Sequence, residues 1–86
     1  METRVAVISI IVEDPGVVEK LNALLHQYGE FVIGRMGIPY RKRGVSIISV
    51  AMDAPQATIA ALSGKLGALS GVTVKTAYSS VIGRDE

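Results

Sequence analysis

Cysteine is absent from the chain. Its absence excludes disulfides, thiolate metal sites and a cysteine nucleophile, and it fits a reducing compartment. Histidine is nearly absent, with His26 alone. A nickel or zinc centre wants several imidazole or thiolate ligands. One histidine could enter only a site shared between copies, and its ordinary role late in a helix is to complement the dipole. No metal and no cofactor is therefore expected. Long apolar runs are missing too. The longest, Val5 to Val12, falls far short of the ~20 residues of a membrane-spanning helix. It lacks the basic flank and cleavage site of a signal peptide, and Glu13 and Asp14 follow it directly. A cytoplasmic protein is the default expectation. A strong charge of either sign is also lacking: the formal net charge is +1, which gives no bulk attraction to nucleic acid or membranes.

The patterns of catalysis are equally thin. There is no Walker loop and no GxGxxG. The serines have no evident base, because the one histidine lacks a recognisable nucleophile or acid beside it. Glu13 and Asp14 are adjacent and suit a cap. The expectation is a binding or regulatory module and not an enzyme.

What is present is a folding pattern. Of the 86 residues, 49% are hydrophobic and 20% charged, the balance of one globular domain. A core of this size buries somewhat over ~60% of the unfolded surface, so association would add useful stability. The domain is expected over residues 1–80, with 81–86 a frayed tail.

Residues 4–12 are β-branched and apolar, as in a buried strand. Asp14 then suits an N-cap and Pro15 the first helical position. Val17, Val18, Leu21, Leu24, Leu25 and Tyr28 recur at helical spacing, and Gly29 stands where a left-handed cap residue belongs. Residues 30–38 read as a second strand, ended by Pro39. A charged turn over Tyr40 to Gly44 leads to a third strand over 45–52. Asp53 and Gln56 have the spacing of a capping box for a second helix. Ile59, Leu62, Leu66 and Leu69 form its stripe. Gly64 and Gly67 cost that helix about 1 kcal/mol each against alanine; either they permit close packing on the sheet or they are merely tolerated. Gly71 closes the helix, and residues 72–78 alternate as a fourth strand.

The order β-α-β-β-α-β is the ferredoxin-like, split βαβ arrangement. With right-handed crossovers, this α+β sandwich has a four-stranded antiparallel sheet. Strands one and three are central and both helices lie on one face. Both central strands are apolar on both sides: Val5, Val7 and Ile11 against Ala6, Ile8, Ile10 and Val12, then Val45, Ile47 and Ala51 against Ile48, Val50 and Met52. A two-layer domain needs only one set inside. The other set forms an exposed apolar patch, and such patches mark interfaces. A homo-oligomer through the open sheet face is expected.

Two segments carry a resemblance. Glu13-Asp14-Pro15-Gly16-Val17-Val18 resembles the strand-to-helix loop of ACT-type regulatory domains. There an acidic residue, a proline and a glycine open the first helix, where small effectors bind. The run from Gly34 through Arg41 to Val50, with Leu24–Gly29 and Leu62–Gly67, is similar to the family of iron-only hydrogenase system regulators, over nearly the whole chain. The resemblance implies an ACT-like fold, shared with the ligand-sensing half of nickel-responsive repressors, and a role in regulation. It supplies no ligand. The chain lacks the ribbon-helix-helix segment of those repressors, so direct control of transcription does not follow.

Two places emerge as candidate ligand sites. Asp14, Pro15 and Gly16 would open a helix whose N-terminus attracts anions or carboxylates, with Gly16 allowing close approach; the plainer reading is an ordinary cap and turn. The second place is Arg35 to Arg43. It holds four of the nine basic residues, and no acid occurs from Phe31 to Met52. Arg35, Gly37, Pro39, Tyr40 and Arg41 could meet an anion, with Tyr40 as a stacking surface. The plainer reading is a solvated hairpin tip whose charges block edge pairing. Arg35, inside an otherwise apolar strand, needs a partner such as Glu30 or an acid of a second copy. A regulatory module that binds a small ligand or a protein partner is the leading reading. The alternative is nucleic-acid or protein binding through the basic hairpin without a small ligand; a near-neutral chain without interleaved sheet aromatics disfavours nucleic acid.

Overall fold

The structure, a computed structural model, describes residues 2–84. Four strands and two helices follow the expected order: β1 (Glu2–Val12), α1 (Val18–Gln27), β2 (Val32–Tyr40), β3 (Val45–Ala54), α2 (Gln56–Gly67) and β4 (Val72–Arg84). The strands form one antiparallel sheet in the order β2-β3-β1-β4. β1 and β3 are central, as the ferredoxin-like reading requires. In their ladder Ile8 stands opposite Val50 and Ile10 opposite Ile48.

The core fills one side of the sheet. Ala6, Ile8, Ile10 and Val12 of β1 and Ile48, Val50, Met52 and Ala54 of β3 are buried. They meet Leu21 and Leu25 of α1 and Ile59, Leu62 and Leu66 of α2. Each large side chain there stabilises by roughly 1.5–3 kcal/mol. The second helix is held laterally as well. The hydroxyls of Ser63 and Thr76 on β4 lie 2.7 Å apart, and Lys65 donates to the Tyr28 hydroxyl at the end of α1 at 2.9 Å.

Several expected boundaries move. Asp14 does cap, but it caps a 3₁₀ turn over Pro15–Val17 that precedes α1. Gly29 is not left-handed, since Gly44 and Gly71 are the glycines of positive φ among the described residues. The chain leaves α1 through a second 3₁₀ turn, Gly29–Phe31, so β2 starts at Val32. Pro39 does not end β2. It pairs with Ser46 inside the ladder, because β2 is an edge strand, where a missing N–H can face solvent. No capping box forms at Asp53. β3 runs on to Ala54, placing Asp53 opposite Val5, and the Pro55 carbonyl accepts from the N–H groups of Thr58 and Ile59 instead. The reason is Pro55, which disfavours the helical region at Ala54 and so keeps the chain extended through Asp53 and Ala54 until the helix begins at Gln56. Gly64 and Gly67 are tolerated and not close-packed, for a Cβ at either would meet nothing within 4 Å. β4 continues to Arg84 past its expected end at Tyr78, across a shift in register against β1 between Arg4 and Ala6. The remainder of the expected frayed tail, residues 85 and 86, lies outside the described residues.

Candidate functional site

The first candidate loop joins β1 to α1. Asp14 ends the strand because its side-chain oxygen accepts from the Gly16 N–H at 2.9 Å. The Val17 N–H donates to the Asp14 carbonyl, and the Val18 N–H to that of Pro15. Three donors that a helix start would offer to an anion are therefore used within the chain. The loop is also pinned from outside. The Glu13 N–H donates to the Gly71 carbonyl at 2.7 Å, and Gly71 packs against Asp14 so closely that a Cβ would lie 2.6 Å from Asp14 Cβ. Gly71 itself has φ 72, the left-handed region.

The second candidate segment is β2, whose alternation splits it between two faces. Arg35, Gly37 and Pro39 stand opposite Val50, Ile48 and Ser46, which places them on the helix side. Tyr40 stands opposite Val45 and belongs to the other, open side. Arg41 lies in the turn, where its carbonyl accepts from the Gly44 N–H. Arg35 finds its partner on α1: it donates to the side-chain oxygen of Asn22 at 3.2 Å. Asn22, an amide on an exposed helix position, carried no signal in the sequence. The structure thus brings Arg35 to the N-terminal half of α1, which starts from the Asp14–Gly16 loop, with Gly37 and Pro39 on the same side of the sheet. It sets Tyr40 and Arg41 apart from them. All eight residues are exposed.

The open face is the larger feature. Val5, Val7, Ile11, Met36, Ile38, Tyr40 and Ile47 are 37–60% exposed. Ile38, Ile47 and Ile11 form one row across β2, β3 and β1. Beside that row, Gly34, Met36, Ser49 and Ala51, with Arg35 between the first two in the strand, line a shallow depression of about 270 Å³. It exists because Gly34, Ser49 and Ala51 are small and stand side by side on the pleat.

Arg4 is the residue that the sequence reading passed over. It donates to the Ser79 carbonyl at 2.6 Å and to Gln56 at 3.3 Å, and its guanidinium lies 5.0 Å from the centre of the Tyr78 ring. Its Nε is buried without a hydrogen-bond partner among the described residues. Its signal was available: Arg4 shares the parity of Ala6 and Ile8, the buried side of β1. His26 is exposed in the last turn of α1. Among the described residues no group of three or more potential metal ligands comes together, and no helix is long and apolar enough to cross a membrane.

A model of the TM1266-like family, described provisionally as an iron-only hydrogenase system regulator, matches residues 4–76. The structure of the uncharacterised protein TM1266 from Thermotoga maritima is 38% identical, with a TM-score of 0.85. The match covers 88% of this chain and 96% of that one. No protein of curated function matches significantly.

Proposed function

Because the chain belongs to the TM1266-like family of iron-only hydrogenase system regulators, we propose that it is a non-catalytic regulatory module of such a system, working as a homo-oligomer joined through its open sheet face. The observation that carries this reading is the uncovered apolar face. Four strands about 4.8 Å apart and about ten residues long present roughly 600 Å² in projection. The pleated side chains add to that area, which brings it near the ~800 Å² per partner of a standard interface. The exposed row of Ile38, Ile47 and Ile11 crosses three of the four strands.

A small anionic ligand or an acidic partner segment would engage the helix-side edge, where Arg35 meets α1 near the Asp14–Gly16 loop. Arg41, Lys42 and Arg43 lie exposed in the turn that follows β2, apart from Arg35. Binding there would regulate only if it favoured one packing of the subunits over another.

Two measurements test these statements separately. Sedimentation at micromolar concentration should show an oligomer, and Ile47→Lys, a change at an exposed position in the centre of the isoleucine row, should lower its mass. A chain that is monomeric before any substitution would sink the oligomer reading. Titration calorimetry against amino acids, nucleotides and acidic peptides should find a ligand whose affinity falls with Arg35→Ala. Failure across the panel would remove the ligand reading and leave the oligomer untouched.

A further inference from the structure

The sheet has two edges, β2 and β4, and the chain treats them differently. An open edge offers unpaired N–H and C=O groups to any other strand, and proteins blunt it with proline, charge, bulges or shortness. β2 is blunted in several of these ways: it carries Pro39, Arg35, two glycines and a shift in register between Val32 and Gly34. β4 is not. From Val72 to Tyr78 it pairs with β1 without a break. That stretch, VTVKTAY, has no proline, no glycine, no acid and one cation, Lys75. The irregularity of β4 comes only afterwards, before Ile82 rejoins the ladder opposite Arg4.

We propose that a second copy of this chain occupies the β4 edge, with the two β4 strands antiparallel and the two four-stranded sheets continuing as one. The two-fold axis runs perpendicular to the sheet and keeps both helical layers on one side. Such a dyad must place a residue opposite its own counterpart, so the possible registers are few. Centring on Lys75 would set the two lysines against each other, which is unfavourable. Centring on Thr76 sets Lys75 opposite Ala77 and Val74 opposite Tyr78. The second pairing joins a β-branched and an aromatic residue on the half-buried side, a favourable cross-strand contact. That register is the one assigned.

The helix above the edge leaves room for the partner. Ser63, bonded to Thr76, marks the flank of α2 nearest β4. Ala60 and Gly67 share that flank by helical spacing, both are exposed, and a Cβ at Gly67 would meet nothing within 4 Å. From Ala60 to Gly67 this flank of α2 carries only small side chains, with Gln56 at its start drawn to Arg4.

This interface is separate from the open face and its test keeps the two apart. The open-face variant Ile47→Lys is the starting chain, so that any remaining association belongs to the edge. Sedimentation equilibrium should find it dimeric. Adding Ala77→Lys sets a cation opposite Lys75 of the other copy, twice by symmetry, and should weaken the dimer roughly tenfold. Adding Lys75→Glu to that chain should restore it, because the facing charges are then opposite. Circular dichroism checks that each variant keeps its fold. An Ile47→Lys chain that is already monomeric overturns the edge pairing. So does a dimer that ignores Ala77→Lys, or one weakened by it that Lys75→Glu does not restore. Failure of the open-face reading shows differently, as an Ile47→Lys chain with the parent mass.

Discussion

Replacing Gly71 with alanine should unfold this domain more readily than the same change at Gly44, and the difference measures how tightly the two loops at the start of α1 and β4 are joined. Both glycines hold nearly the same backbone, φ 72 and φ 67. Alanine in that region costs about 1–2 kcal/mol at either site. The surroundings differ. A Cβ at Gly44 meets nothing within 4 Å, whereas at Gly71 it would stand 2.6 Å from Asp14 Cβ and 3.2 Å from the Asp14 backbone nitrogen. Both neighbours belong to a loop fixed by its own hydrogen bonds, so neither can swing aside as a long side chain would. Relief requires the loops to part, which endangers the bond from the Glu13 N–H to the Gly71 carbonyl, worth about 1 kcal/mol net. The expected losses are about 1–2 kcal/mol for Gly44→Ala and roughly 2–3 kcal/mol for Gly71→Ala. For a domain of this size each kcal/mol lowers the melting temperature by roughly 4–8 °C. Urea denaturation followed by circular dichroism, at one fixed protein concentration because any association would add to stability, reads both values. In an Asp14→Gly background, which already lacks the Gly16 cap and the atom in closest contact, the Gly71→Ala step should cost less than in the parent chain, a recovery read as a double-mutant cycle. Equal losses at the two glycines, with no recovery, would refute the close approach and with it the view that the Asp14 loop is held from outside.

Other outcomes follow from the same structure. Asp53→Ala should change stability by less than about 0.5 kcal/mol, because Asp53 lies exposed in β3 and caps nothing; a loss of about 1 kcal/mol or more in thermal melts would revive the capping box. Gly64→Ala should raise stability by about 1 kcal/mol in denaturant titration, since the position is helical, exposed and open, and a loss there would reveal a contact that the structure does not contain.

The sequence by itself determined the order of the elements, the two central strands, the buried stripes of both helices and the family. These features rest on periodicity and on the size of apolar side chains, which act locally and repeat over many residues. The apolar second face of β1 and β3 was legible for the same reason: alternation assigns each residue to a side of the sheet before the fold is known. Ends of elements were less legible, since they are settled by competition between neighbours. Pro39 stays inside β2 because the strand lies at an edge, and Asp53 stays in β3 because Pro55 holds the residue before it extended. The candidate site was legible in part. Arg35 and the Asp14–Gly16 loop stand out as candidates by residue type, but alternation alone left open which face of β2 the helices would cover. Only the tertiary structure gave Arg35 its partner Asn22 and sent Tyr40 to the opposite face. It alone set Gly71 against Asp14, more than fifty positions apart in the chain, and left β4 with the unguarded edge. Contacts of that kind have no period and no local composition, so they exist only once the chain has closed on itself.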